Sequence, residues 1–595
     1  MRVSVHGCGY LGAVHAAALA RLGHEVVGID VDPARVAALA EGRAPFFEPG
    51  LAALLADPGG AGSLTFSTDV AHAGVADVHF LCVGTPQSAG SGVADLQQLE
   101  AALAALRPHL RPGSVVVGKS TVPVGTAARL VTDLPDGVRL AWNPEFLREG
   151  HAVADTLHPD RLVYGVPDDG DALVERLDAV YARLLDDGVP RLVTDLATAE
   201  LAKVAANAFL ATKISFANAV AEVCEAAGGD AVALVGTMAL DRRIGGEYLG
   251  VGLGFGGGCL PKDIRAFAAR ARELGVGPAV SFLDEVDAIN DRCRERAVVL
   301  ARTACGGSLA GRRVAVLGAA FKPDSDDVRS SPALALARAL AAEGADVVVT
   351  DPQALALAQA AAPELGYAAD VREAATGADV VVLATEWDEY RDLDPGALAE
   401  VVRSPRLVDA RNAVDGARWR AAGWDVRSLG VAAPRAARGG WGRAAAGAGE
   451  NRAVTTATTP TTPIQTHGTA RCGPCSSWPC GALTWSSAGG VSPGCTGAGA
   501  LWAAAAARSR GARRLDAIAQ TRATGARRDA PEDSSRDHRK AAPRKAKHDT
   551  PSRDAQEAKG PVKQTNDAPR TAEASSVDAL EERFSSLSMQ GISGR

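Results

Sequence analysis

Along residues 1 to about 195, short apolar runs alternate with amphipathic stretches. VSVHG, EVVGID, VHFLCVG and SVVVGKS are almost continuously apolar, the pattern of strands buried on both faces. Between them, ARVAAL and LQQLEAALAAL repeat apolar residues at helical spacing. This alternation predicts a doubly wound parallel sheet. From about 196 to 300 the character changes. ATAELAKVAANAFLATKISFANAVAEVCEAAG runs for many turns without Gly or Pro, which predicts a long helix followed by a shorter helical array. From about 311 the alternation returns in RRVAVLGAAF, ADVVVTDP, ADVVVLATEW and RLVDARN, and predicts a second open α/β domain. The expected fold class is therefore α/β. A Rossmann domain over 1–195 and an α/β domain over 301–432 are joined by a helical region over 196–300, and a tail covers 433–595.

After about residue 433 the periodicity collapses. PRAARGGWGRAAAGAG and TTATTPTTP are low in complexity, and the chain to about 550 is rich in Arg, Lys, Ser and Pro. Such a composition buries no core, so disorder is expected. CGPC at Cys472 to Cys475 has the spacing of a redox pair. No strand precedes it and no long helix follows, so no redox role is assigned to it.

Composition narrows the function classes. With 595 residues, 47% hydrophobic and 22% charged, the chain has material for several buried cores. A formal net charge of -7 offers no global attraction for nucleic acid or anionic lipid, and neither is an expected partner. Each apolar stretch is interrupted by charge, Gly or Pro, so no membrane span is expected. MRVSVHGCGYLG reads as a strand entering a glycine loop rather than a signal peptide, and a cytoplasmic location is expected. The body cysteines, Cys8, Cys82, Cys224, Cys259, Cys293 and Cys305, fit the spacing of neither a disulfide framework nor a zinc site. No metal is expected.

Two stretches carry chemistry. In GCGYLG, Gly7, Gly9 and Gly12 follow a strand and open a helix. Such glycines permit a tight turn, close approach to a pyrophosphate and close helix packing, while the helix N-terminus offers free N–H groups to phosphate. Asp30 ends the next strand, where a carboxylate takes ribose hydroxyls and repels a 2′-phosphate. NAD is thus favoured over NADP, although Arg35 complicates that preference by standing where it could sit near the phosphates. The second stretch is GFGGGCLPKD, Gly254 to Asp263. Cys259 stands behind glycines that let a substrate approach, with Lys262 or Lys203 to lower the thiol pKa or stabilise an oxyanion. A nucleophilic thiol is the expectation. Lys203 and Asn207 are four residues apart on the predicted long helix and share its face.

The chain resembles the UDP-glucose/GDP-mannose 6-dehydrogenase family from residue 1 to about 430. The resemblance rests on VGTPQ, KSTVPVGT, NPEFLREG, AELAKVAANAFLATKISFANA, DRRIG, GFGGGCLPKD and GAAFKPDSDDVRSSPA, in this order. It implies an NAD domain joined to a nucleotide-sugar domain through a dimerising helix. It implies oxidation of a sugar C6 alcohol to a carboxylate with two NAD, through a thiohemiacetal and thioester on the cysteine. Carried over by motif position, Cys259 is the nucleophile. Lys203 and Asn207 stabilise oxyanions, and Asp263 orients water or Lys203. Glu145 is the general base for thioester hydrolysis, with Glu149 on the same face if that segment is helical. Thr121 binds a ribose or positions water. Cofactor contacts are implied at Tyr10, Leu11, Thr85, Thr121, Glu149, Lys262 and Arg329. Substrate contacts are implied at Glu145, Phe146, Leu147, Glu149, Lys203, Asn207, Phe255, Gly256, Gly257, Phe321, Lys322 and Arg411. Arg243 is expected to reach the substrate of a neighbouring subunit. UDP-glucose is the expected substrate. GDP-mannose is the alternative, since those enzymes share CLPKD, and an inactive nucleotide-sugar-binding scaffold is a further one.

Overall fold

The computed structural model describes residues 1–57 and 62–431. The low-complexity tail, CGPC included, lies outside the described residues. The first sheet contains β1 (Arg2–His6), β2 (Glu25–Ile29), β3 (Ser63–Ser67), β4 (Val78–Leu81), β5 (Val115–Gly118), β6 (Arg139–Trp142), β7 (Leu162–Gly165) and β8 (Arg191–Thr194). Their order is β3-β2-β1-β4-β5-β6-β7-β8. The first six strands have the doubly wound order, parallel throughout. At β6 to β7 the pairing turns antiparallel, and β8 joins β7 in parallel. The four quoted apolar runs are β1, β2, β4 and β5. β4 and β5 are buried along their whole length, as continuous apolar strands require.

Helix α1 (Tyr10–Arg21) follows β1, and α2 (Pro33–Ala40) follows β2. α2 starts where Asp32 accepts from the N–H groups of Ala34 and Arg35, with proline at its first position. A one-turn helix, α3 (Thr126–Val131), follows the β5 loop. The long helix α4 (Leu196–Ala227) has 32 residues, capped by Asp195 through the Thr198 N–H and ended by Gly228 at φ +79°. By length and composition it could cross a membrane, contrary to the sequence expectation. Its apolar composition serves packing instead, because small apolar residues let other helices approach. Ala208, Ala211, Ser215, Ala217 and Ala221 are all buried, and the Ser215 hydroxyl donates to the Val286 carbonyl. After α4 come α5 (Ala231–Ala239), α6 (Leu260–Glu273) and α7 (Phe282–Ala304).

The second sheet contains β9 (Arg313–Leu317), β10 (Asp346–Thr350), β11 (Gly366–Tyr367), β12 (Val380–Leu383), β13 (Arg406–Asp409) and β14 (Asp425–Ser428). Its order, β11-β10-β9-β12-β13-β14, repeats the doubly wound pattern. In each sheet the order reverses beside the first strand, and ligands of such sheets bind at that switch point beyond the strand ends. Gly7 follows β1 there, and Phe321 lies four residues beyond β9.

Candidate active site

At the first switch point the glycines do what their spacing implies. A Cβ on Gly12 would stand 1.7 Å from the Gly7 carbonyl oxygen, so α1 packs as closely as it does only with glycine there. A Cβ on Gly9 would meet nothing within 4 Å, which leaves the helix N-terminus open to a ligand. Asp30 is buried beside it. Its carboxylate accepts from the Cys8 N–H at 2.6 Å and the Asp32 N–H at 3.0 Å. Arg35 donates to both Asp30 oxygens, at 3.0 and 3.2 Å. Arg35 is therefore held by Asp30 rather than poised toward phosphates. An open helix terminus, free of side-chain caps, next to a fixed carboxylate fits the pyrophosphate and ribose of NAD. Leu11 is partly buried and packs against the sheet core. The Tyr10 hydroxyl donates to Asp326 at 2.7 Å, and the same carboxylate accepts from the Phe47 N–H at 2.8 Å. The opening loop of the second α/β region is thus tied to the cofactor end.

Cys259 is the N-cap residue of α6 and opens to solvent. Cleft walls nevertheless surround the sulfur. Burial, then Glu149 and Asp263, and last Glu145 push the thiol up to about 12, while Lys203 pulls it down. The helix N-terminus also favours the thiolate. Lys203, buried on α4, forms an ion pair with Glu145 at 2.8 Å. Burial alone would lower this amine, but Glu145, Cys259 and Asp263 raise it above its ordinary value. Asn207 is one turn along α4 and donates to Asp263 at 2.7 Å. Lys262 donates to the other Asp263 oxygen. Lys203 and Asn207 share a face of α4, with Asn207 bonded to the first turn of α6 through Asp263 and the Lys203 charge acting on Cys259 and Asp263.

Residues 143–148 form no helix, so Glu145 and Glu149 do not share a helical face. Glu145 instead folds back to accept from the Leu147 N–H at 2.7 Å. Glu149 faces the other way and accepts from Arg329 at 3.2 Å. Burial first, and then Asp327, push Glu149 up to about 8, against Arg329 and Lys322. Its second oxygen, Oε2, is buried without a partner. Thr85 donates to the Thr121 carbonyl at 2.6 Å. Thr85, Thr121, Lys262, Asp263 and Arg270 line a narrow cleft between the β4 and β5 loops and α6.

The glycine run before Cys259 packs differently from the expectation. A Cβ on Gly257 would stand 2.8 Å from the Phe321 ring, and one on Gly258 would stand 2.4 Å from the Arg329 guanidinium carbon. The room that the glycines leave is filled by the loop after β9. Phe255 buries its ring with Ala208, Ile264 and Leu283, so its side chain serves packing. Leu147 packs beneath α1 in the same way. Arg411 donates to the carbonyls of Ala384, Gly254 and Phe321, at 2.8, 2.8 and 3.3 Å, and so clamps the glycine run to the second sheet. Lys322 lies 5.5 Å from the Phe321 ring, and burial lowers its amine. Arg243 is exposed, pairs with Asp241, and is not brought to the cleft of its own chain.

Some residues at the site were not singled out from the sequence. Asn290 accepts from the Phe255 N–H at 2.7 Å and donates to the Phe255 carbonyl at 3.0 Å. It interrupts the buried stripe Leu283, Val286, Cys293, Ala297 of α7, and that lone polar position was a readable signal. Arg161 stacks on Phe146 at 3.8 Å, on the ring that Lys203 approaches to 5.8 Å. Asp326 carried no signal, because three aspartates crowd the stretch DSDD and sequence does not rank them.

Three models of the UDP-glucose/GDP-mannose dehydrogenase family match this chain. The NAD binding domain matches residues 1–185, the central domain 197–292 and the UDP binding domain 315–416. UDP-glucose 6-dehydrogenase of Rhizobium meliloti is 41% identical over 421 residues, 69% of this chain and 95% of that protein. The enzyme of the same name from Pseudomonas aeruginosa is 40% identical over 447 residues, 72% of this chain and 97% of that one. A solved UDP-glucose dehydrogenase from Pyrobaculum islandicum superimposes with a TM-score of 0.65 at 40% identity, covering 72% of this chain and 96% of its own. With these matches spanning both sheets and the helices between them, the chain belongs to the UDP-glucose/GDP-mannose dehydrogenase family of NAD-dependent oxidoreductases.

Proposed function

We propose that the cleft oxidises the C6 alcohol of UDP-glucose to the carboxylate of UDP-glucuronate. The observation that carries this reading is the convergence of Cys259, Lys203, Glu145, Asn207 and Asp263 where the loop after β9 meets the cofactor end. NAD, when bound, accepts one hydride in each of two oxidations. The residues that would hold it are the Gly7–Gly12 turn, Asp30 and Thr85.

In the first oxidation the alcohol proton passes to the Glu145–Lys203 pair as C6 gives up hydride, leaving an aldehyde. The Cys259 sulfur, as thiolate, then bonds to the aldehyde carbon. The oxygen takes the electron pair, and the Lys203 ammonium and the Asn207 amide stabilise it. The proton shed by the thiol passes to that oxygen and gives a thiohemiacetal. Loss of a second hydride from the same carbon, with the hydroxyl proton passing to the Glu145–Lys203 pair, restores the carbonyl as a thioester on Cys259. Glu145, its earlier proton lost to solvent, takes a proton from the water that adds to that carbonyl, the C–S bond breaks, the sulfur leaves with its electron pair and regains a proton, and the remaining acid proton goes to solvent. The carboxylate product departs, and Asp263 holds Asn207 and Lys262 in place throughout. Phe321, Lys322 and the Arg411-clamped glycine run would seat the nucleotide and sugar.

Relatives named for UDP-glucose at about 40% identity support this substrate over GDP-mannose. The reading includes a homodimer through α4 and a cytoplasmic setting. The exposed Phe209, Phe216 and Val223 support the dimer, standing seven residues apart in a single stripe. The test is NADH formation with UDP-glucose, GDP-mannose and UDP-N-acetylmannosamine side by side. UDP-glucose should be turned over with the highest kcat/KM. Preference for either of the others would overturn the substrate assignment and leave the chemistry standing.

A further inference from the structure

Beneath the loops that carry Thr121 and Glu145 lies a charge that the steps above do not use. Lys119 is the first residue beyond β5 and is buried. Its Nζ donates to Asn143 Oδ1 at 3.0 Å and to the Asn143 carbonyl at 3.4 Å. Among the described residues, the lysines paired directly with a carboxylate are Lys203 and Lys262, and Lys119 is not one of them. Asn143 is fixed from two further sides. The Tyr181 hydroxyl donates to the same Oδ1 at 2.7 Å, and Asn143 Nδ2 donates to the Val163 carbonyl at 2.9 Å. One node thus ties the ends of β5, β6 and β7, two residues from Thr121 on one side and two from Glu145 on the other.

A buried ammonium without a counter-ion in contact costs stability, and a methionine would fill the same space without that cost. Its retention calls for a use. Cys82 from the end of β4, Glu145 from the β6 loop and Lys203 from α4 act on its charge. His15 of α1 feels that charge in turn, and the Tyr181 ring lies 6.0 Å away. Burial pushes Cys82 up to about 12 and holds His15 well below its ordinary value, so both are uncharged at neutral pH. The charged groups acting on Lys119 there are Glu145 and Lys203. Burial lowers Lys119 itself to about 8, with Cys82 and Glu145 opposing and Lys203 reinforcing the shift.

We propose that Lys119 is a positioning residue of this active site: through Asn143 it holds the Thr121 and Glu145 loops in register, and its ammonium adds a second positive charge to the Glu145–Lys203 pair. The inference rests on the oxidation assigned to the Cys259 cleft, so turnover of UDP-glucose by the parent enzyme is measured first. Its absence would sink that reading and this one together. Given turnover, Lys119→Met should lower kcat by about tenfold or more and leave KM for UDP-glucose and NAD within about threefold. Its Tm at pH 7 should be equal or higher, since the buried charge is gone. The amine is charged below about pH 8 and neutral above it. The ratio of parent to variant kcat should therefore be largest near pH 7 and shrink as pH rises beyond about 8. Tyr181→Phe, which removes the other donor to Asn143 Oδ1 and keeps the charge, should lower kcat less than Lys119→Met does and leave the pH dependence of the parent in place. Parent-like kcat in Lys119→Met would overturn the proposal. So would a ratio constant across pH with a lowered Tm, which would mark a structural strut. Should the Met variant not fold, Lys119→Gln keeps a donor without the charge and takes its place. Failure of both while Tyr181→Phe folds would assign Lys119 to the scaffold and likewise overturn the proposal.

Discussion

At Glu149 the burial of one carboxyl couples stability to pH. Its pKa is about 8 in the folded chain against 4.5 ordinarily, and desolvation is the main cause. Below about pH 4.5 the carboxyl is protonated in folded and unfolded chains alike, and the group costs nothing. As pH rises toward 8 the unfolded chain releases the proton and the folded chain keeps it, so stability falls. Glu149→Gln should then raise Tm at pH 7.5, and the advantage should vanish near pH 4.5; thermal melts across that range measure it. A Tm lowered at pH 7.5 would show that the Arg329 contact outweighs the desolvation. At this scale the motif residues were legible because chemistry restricts them. A thiol followed by Lys and Asp, and a Lys and Asn one helical turn apart, allow few structural readings. Their partners were not legible. Asp30 was expected to face a ribose and Arg35 the phosphates, but spacing alone does not reveal that the two bond to each other.

At the scale of elements, α4 serves two surfaces at once. One face buries Lys203 and Asn207 against α6, and another leaves Phe209, Phe216 and Val223 65%, 50% and 66% exposed. Burying such side chains contributes roughly 1.5–3 kcal/mol each, which supports the proposed dimer through this stripe. Phe209→Asp with Phe216→Asp should convert a dimer into a monomer in light scattering and leave the far-UV spectrum unchanged. A parent chain that is monomeric at micromolar concentration would contradict the dimer. Strands with continuous apolar sequence, such as VHFL and VVVG, were legible in advance. RLVT of β8 was not, because it is an edge strand with its residues largely exposed. The membrane-like composition of α4 was misjudged for a related reason. Alanines that serve helix contact read the same as alanines that serve lipid.

For the whole molecule, two doubly wound sheets present their switch points to one cleft, and the glycine run of residues 254–258 joins them. Periodicity announced both sheets and the helices between. It could not announce how they meet, because that junction rests on contacts far apart in the chain: Tyr10 with Asp326, Arg411 with Gly254, and Gly257 against Phe321. The same junction brings the thiol into the cleft proposed to hold the sugar, and that proposal is the claim most worth testing. The measurement is NADH formed per UDP-glucose consumed, in the parent and in Cys259→Ser, with acid-quenched enzyme weighed by mass spectrometry. Serine keeps a nucleophilic hydroxyl, but an alkoxide is a far poorer leaving group than a thiolate. The parent should form two NADH for each sugar. The variant should stall after hydride transfer begins, with sugar bound to the protein or aldehyde held in the site. A Cys259→Ser enzyme that forms two NADH per sugar at near the parent rate would contradict the account.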